Sequence, residues 1–443
     1  MRSPDLTTLL IPFVYFIAGA TSLAGVAMTF FFKDDIHLSI AQVQILGSIA
    51  IIPWSIKPLY GILSDRLPLW KLRRKPYLFL AGLAGSAGYL LMATTVTGFP
   101  GAAFASMLSA LGFALADVIV DGIVVERSRN QTEAGKLQTI CRASLMTGAV
   151  IVAYLSGILV QKIGPRNVFF ITGSLPVLTS LLAIFIEEKA DANIPVVSFR
   201  QMWNGLRSIC TPALLWSVLF LFLWRATPTS GGAFSYFLID ELGFTPEFFG
   251  TLTLVSSVTG ILGILVFRRF LLSLSLRKLL LWVVILSVVL SLPGLGLIYG
   301  WYRVLGVSPA FLALADTAIG GVLQEIGFLP LLVLAARLCP KGVEATVFAL
   351  LASVMNIGLA VSDVGGAWLT TVFHVHGAEP GIPADYANLG TVMWIAILSS
   401  FLPVPLLPFL PETRTTDEAV VPPSPSGVEP VPSRHGTAAP DVA

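Results

Sequence analysis

The sequence predicts an all-α membrane protein with twelve transmembrane helices in two six-helix halves, and three observations predict it. Of 443 residues, 55% are hydrophobic and only 12% are charged, whereas about a quarter of a soluble domain is charged. Apolar runs of about 20 residues recur along the chain, the length that a hydrocarbon core about 30 Å thick demands of a helix. The longest internal polar segment, Glu188 to Cys210, divides these runs six and six.

Bounded by charge, Pro or Gly, the spans fall near residues 8–32, 42–63, 77–96, 102–126, 137–160 and 167–187, then 211–239, 248–270, 278–299, 307–336, 343–372 and 389–410. The chain therefore divides into an N-terminal half (1–187), a central linker (188–210), a C-terminal half (211–410) and a tail (411–443). The tail, "VVPPSPSGVEPVPSRHG" and its surroundings, is too poor in large apolar side chains to fold alone and is expected to be disordered. With the N-terminus inside, twenty basic residues collect on the cytoplasmic side against Lys33, Lys162, Arg166 and Arg303 outside. Both termini are therefore expected in the cytoplasm. The first apolar run begins after about seven residues and is too long for a signal-peptide core, so a multi-pass protein of the plasma or inner membrane is expected. A net charge of +2 gives no reason to expect a nucleic-acid partner. Cys141, Cys210 and Cys339 have no paired spacing, so neither a disulfide framework nor a zinc cluster is expected, and no cofactor is implied.

Three cations and several acids remain inside the spans. A charge near the bilayer centre costs about 2.5–3.5 kcal/mol, so such residues face a bundle interior or a water-filled cavity and have partners. In "DVIVDG" of the fourth span, Asp117 and Asp121 are offset by about 40° on a helix, one turn apart on one face. Two carboxylates this close share protons readily, which makes them candidates for proton coupling. Arg142 on the fifth span is a candidate partner for Asp121. Glu325 in the tenth span, between Gly320-Gly321 and Gly327, is the third proton-coupling candidate, while Asp316 lies on the opposite helix face near the outer surface. Arg225 follows about fourteen residues of the seventh span and precedes a Pro-Thr-Ser-Gly-Gly break that loosens the helix toward a cavity. Its rigid fork suits a carboxylate. Lys57, between Pro53 and Pro58, reads as part of an irregular, cavity-lining stretch.

The halves echo each other. Setting Gly135 on Gly342 brings Thr139 onto Thr346 and Asp117 onto Gln324, next to Glu325. Polar groups at matched depths in two repeats are the arrangement of carriers whose site lies between halves. The loop "GILSDRLPLWKLRRKPYL" orders Gly61, Asp65-Arg66 and Arg73-Arg74 in a pattern that resembles the signature of the major facilitator superfamily. With Glu126 and Arg127 at the end of the fourth span, these residues are candidates for gating.

A narrower resemblance rests on "WSIKPLYGILSDRLPLWKLRRKPYL", "ADVIVDGIVVERSR", "TPTSGGAFSYFLIDELGFTPEFFG" and "FLPLLVLAARLCPKGVEATVFALLASVMNIG". These segments resemble the folate–biopterin transporter family within that superfamily, through most of residues 10 to 410. The resemblance implies a twelve-helix carrier of folates or pterins, proton-coupled, acting by alternating access and as a monomer. A pterin presents adjacent N–H donors to a carboxylate, a flat ring to an aromatic face and, in folates, a glutamate tail to a cation. Asp117, Asp121 or Glu325 answers the first need; Trp54, Phe234 or Tyr236 the second; Arg225, Arg142 or Lys57 the third, with Ser353, Asn356 and Asp363 available for hydrogen bonds. The rival readings are a proton-driven exporter of amphipathic cations, against which the three embedded cations weigh, and a receptor that keeps the fold without transport. An intramembrane enzyme is disfavoured because His37, His374, His376 and His435 all lie outside the spans.

Overall fold

A computed structural model describes residues 6–128, 131–188, 211–271, 274–339 and 344–411. The linker expected over 188–210 and the tail expected over 411–443 lie outside the described residues, save for Glu188 and Pro411 at their margins. Eleven helices are long and apolar enough to cross a bilayer: α1 (Thr7–Asp35), α2 (Ile40–Arg66), α3 (Lys75–Thr94), α4 (Phe99–Arg127), α5 (Glu133–Ile163), α6 (Pro165–Phe185), α8 (Pro246–Leu271), α9 (Leu276–Ile298), α10 (Pro309–Arg337), α11 (Val347–Val372) and α12 (Leu389–Phe409). The twelfth, α7, comes in two pieces, Pro212–Arg225 and Gly231–Asp240, neither long enough to span alone.

Local sequence explains where these helices start and break. Thr211, Thr245 and Ser308 each accept a bond from a backbone N–H three residues on, and each is followed by Pro. The hydroxyl satisfies an orphan donor while Pro presets the first helical φ. Ser39 begins α2 with a reciprocal capping box to Gln42. The break in α7 coincides with Pro228, which lacks an N–H and cannot continue the ladder. In α2 the helix is interrupted at Ile56, flanked by Pro53 and Pro58, and resumes as Lys57–Arg66.

Hydrocarbon gives no hydrophobic drive between helices, so association depends on close van der Waals packing at small residues. Gly112 shows the consequence: a Cβ there would lie 2.3 Å from the backbone nitrogen of Gly85. The two halves meet along two seams, α2 against α11 and α5 against α8, and the six-span repeat relates one seam to the other. At the second seam the backbones of Gly157 and Gly250 nearly touch, a Cβ on Gly157 reaching 2.8 Å from the Gly250 Cα. The first seam is polar: Gln44 donates to the Thr229 carbonyl at 2.9 Å, Ser48 to that of Ala360 at 2.8 Å, and Asn356 to that of Trp54 at 2.9 Å.

Gly112→Val should lower the melting temperature in detergent by several degrees, reflecting an overpacking cost of about 1–3 kcal/mol. Gly320→Ala, whose added carbon meets nothing within 4 Å, should leave it unchanged.

Candidate functional site

Among the described residues, one cavity opens within the N-terminal half and another is lined mainly by the C-terminal half. The first, of about 370 Å³, is walled by α1 through α6 and presents Tyr15, Trp54, Tyr89, Phe113 and Asp117. Its acidic wall is organised by partners far away in sequence. Lys57 Nζ lies 2.5 Å from Asp117 Oδ2 and 4.5 Å from the centre of the Trp54 ring, with both charged side chains a quarter exposed. One turn further along α4, Asp121 Oδ1 accepts from the Tyr15 hydroxyl and from Gln138 Nε2, both at 2.6 Å. The two carboxylates thus share a helix face, as the spacing predicts, but each has its own donors. Arg142 is not the partner of Asp121.

Arg142 instead points toward the other half, where it helps line the second cavity, of about 470 Å³, with Trp224, Arg225, Gln324, Glu325 and Phe328. It is the cation within electrostatic reach of Glu325, so this interaction spans the two halves. Arg225 ends the first piece of α7, where the helix C-terminus favours a cation. Its guanidinium sits 5.6 Å over the Phe328 ring, and its Nε is buried with no hydrogen-bond partner among the described residues. Asp363 on α11 is the charged group that acts on it. Asp117 and Gln324, equivalent in the sequence echo, each line the cavity of their own half.

The basic loop forms a network around Arg74. Its guanidinium reaches Asp65 at 2.9 Å, Glu126 at 2.8 Å and the Ser64 hydroxyl at 2.8 Å. Gly122 lies directly beneath, and a Cβ there would sit 2.9 Å from the Arg74 Cζ, so the guanidinium would have to shift. A Cβ on Gly61 would make only an ordinary contact with Val118. Arg73 takes part through its backbone, and Arg127 donates to the Glu187 carbonyl. Arg66 ends the second piece of α2 beside this network. Glu188, read from sequence only as the start of the linker, accepts from the backbone N–H groups of Arg73, Arg74 and Lys75. It thereby caps α3 from the end of α6.

At the opposite end lies a cluster for which the sequence carried no pointer. Lys33 Nζ on α1 meets Asp240 Oδ1 on α7 at 2.5 Å, the side chains 6% and 9% exposed. Asp240 Oδ2 also accepts from the Tyr386 hydroxyl at 2.6 Å and the Ala378 N–H at 3.0 Å. Burial, and then the bond to Asp240, push the Tyr386 phenol above its ordinary range. Tyr236 is 3% exposed here and donates to the Leu38 carbonyl at 2.9 Å, while Phe234 stacks on Phe237. Neither ring is among the residues that line these two cavities, and Asn356 is engaged at the α2–α11 seam. Of the sequence candidates for ligand contact, the cavities gather Trp54, Asp117, Arg142, Arg225 and Glu325; Lys57 touches the first through its two partners.

Two helical halves joined along seams related by the six-span repeat, with charged cavities among their helices, are the architecture of the major facilitator fold. The solved nucleoside transporter NupG superposes with a TM-score of 0.69 at 13% identity, over 92% of this chain and 100% of that one. The D-xylose–proton symporter gives 0.65 at 14%, over 94% and 99%. Residues 18–421 match the BT1 family, and the chain belongs to it. A folate-biopterin transporter of Synechocystis sp. is 39% identical across 93% of this chain and 83% of its own length. Folate transporter 2 of Plasmodium falciparum is 30% identical across 91% and 88%.

Asp240→Asn should destabilise the protein by about 1–3 kcal/mol, because it takes the nearest counter-charge from the buried Lys33 ammonium and leaves it Asp34 at 3.3 Å. Replacing both partners, Lys33→Met with Asp240→Leu, should recover part of that loss in a thermal-unfolding cycle.

Proposed function

We propose that the chain is a secondary active carrier of folates and pterins, driven by protons and worked by alternating access, with the Arg74 end of the bundle in the cytoplasm of a plasma or inner membrane. The observation that carries this reading is the complementary chemistry of the two cavities. One offers a carboxylate beside an indole face, suited to the donor edge and flat ring of a pterin. The other offers Arg225, with a buried Nε that lacks an acceptor, and Arg142, suited to a glutamate tail. The printed names of the relatives from Synechocystis sp. and Plasmodium falciparum support the same substrate class.

In this reading the ring docks against Trp54 and Asp117, and the tail reaches Arg225 and Arg142. Glu325 carries the coupling proton: its attraction to Arg142 joins the halves, and protonation removes it, shifting the balance between inward- and outward-facing states. Loss of the same attraction frees Arg142 for the anionic tail. Asp121, held by Tyr15 and Gln138, keeps α4 and α1 in register beside the ring site. The Arg74 network and the Lys33–Asp240 cluster close opposite ends of the pathway.

In proteoliposomes, labelled folic acid should accumulate under an inward proton gradient and not without one; no pterin uptake under any gradient by folded protein would remove the substrate assignment. Arg225→Gln should weaken folate uptake about tenfold or more, as expected for a lost charge-assisted contact, while sparing unconjugated biopterin. Glu325→Gln should abolish uphill accumulation while retaining folate exchange, and preserved gradient-driven uptake would refute its role.

A further inference from the structure

The ring site assigned above is not empty of protein. The two groups best suited to a flat heterocycle, Asp117 and the face of Trp54, are both occupied by one side chain, the Lys57 ammonium, at 2.5 Å and 4.5 Å. The ammonium is not held there by its own helix. Lys57 opens the second piece of α2, so it sits at the helix end where the dipole disfavours a cation. The peptide just before it, at Ile56, departs from helical geometry (φ −106°, ψ 17°), and Pro53 and Pro58 flank the interruption. The position is a natural swivel. The Lys57 and Asp117 side chains are each 25% exposed, against 6% and 9% for Lys33 and Asp240. The second pair is sealed from solvent in this structure, whereas the first is reachable by water and by solute.

We propose that Lys57 is a tethered stand-in for the donor edge of the substrate's ring. In the unloaded carrier it neutralises Asp117 and covers Trp54, so that no bare carboxylate faces a low-dielectric cavity. A ligand enters by exchange: its N–H donors replace the ammonium on Asp117 and its ring replaces the ammonium on the indole. The exchange selects a chemical class, namely flat heteroaromatics with adjacent N–H donors, because a ring without them can stack but cannot hydrogen-bond the Asp117 oxygens once the Lys57 ammonium swings out to water. Lys57 is then a specificity-determining competitor and not a ligand for the anionic tail. The inference rests on the assignment of the first cavity to a pterin ring.

The test is equilibrium binding of pterin and of lumazine, which carries oxygen in place of the 2-amino donor, to the purified full chain. If Lys57 occupies the site about nine-tenths of the time, removing it raises apparent affinity about tenfold. Lys57→Ala should therefore bind pterin about tenfold more tightly than wild type. Lys57→Arg, whose fork grips a carboxylate in two bonds, should bind it more weakly than wild type. Asp117→Asn should weaken pterin binding and erase the gain from Lys57→Ala in the double variant. Wild type should prefer pterin to lumazine, and Asp117→Asn should narrow that preference. Lys57→Ala that weakens pterin, or that weakens folate while leaving pterin unchanged, would overturn the proposal and leave the ring site standing. Failure of wild type to bind any pterin would overturn the ring site and this proposal together.

Discussion

Ionised side chains inside hydrocarbon must find partners or water, and the placement of the charged groups in this chain follows from that requirement. The cost of an unpaired embedded charge, about 2.5–3.5 kcal/mol or more, draws Lys57 to Asp117, Asp121 to Tyr15 and Gln138, and Lys33 to Asp240. The pairs differ in how completely they are closed off. Lys33–Asp240 is buried and further tied by Tyr386 and the Ala378 N–H, and so fastens α1 to α7. Lys57–Asp117 stands at the edge of a cavity. Arg225 has aromatic and long-range electrostatic company but an unmet Nε. The gradation runs from charges sealed by protein partners to charges that border a cavity.

Packing supplies the rigid frame against which those charges operate. Close backbone approaches at Gly112 within one half and at Gly157–Gly250 between halves leave no slack for side chains. The seams between halves, α2 with α11 and α5 with α8, are of unlike character. One brings backbones together at Gly157 and Gly250 and is tied by the Tyr154 hydroxyl donating to Glu247 at 3.0 Å; the other is stitched by Gln44, Ser48 and Asn356 to carbonyls opened at the α7 break and on α2 and α11. Hydrogen bonds to carbonyls can be remade after a small rotation, which fits the alternating access proposed for this chain.

Much of the fold was legible because it is written in local rules. Span lengths, the Thr-Pro and Ser-Pro helix starts, the interruption of α2 between two prolines and the break after Arg225 all act within a few residues. The site was legible only as a set of residue types. Asp117 with Asp121, Arg225 and Glu325 stand out as charges in apolar runs, yet their partners are set by tertiary packing: Tyr15 lies 106 positions from Asp121, and Lys57 60 positions from Asp117. Phe234 and Tyr236 attract notice beside the helix break but are consumed by the packed far end, where an aromatic with a bonded hydroxyl fills space between halves. Within the basic loop, sequence does not distinguish Arg66, Arg73 and Arg74. The small Gly122 opposite Arg74, and the acids Asp65 and Glu126 on two different helices, make Arg74 the centre.

The proposed function requires the two cavities to form one substrate site, ring in the N-terminal half and anionic tail in the C-terminal half. The most direct measurement is a cryo-electron microscopy structure of the full chain with folic acid bound. Ligand density should span both cavities, with the ring on Trp54 and Asp117, the Lys57 ammonium displaced, and the glutamate against Arg225 and Arg142. Density confined to one cavity, or reversed so that the tail lies at Asp117, would contradict it.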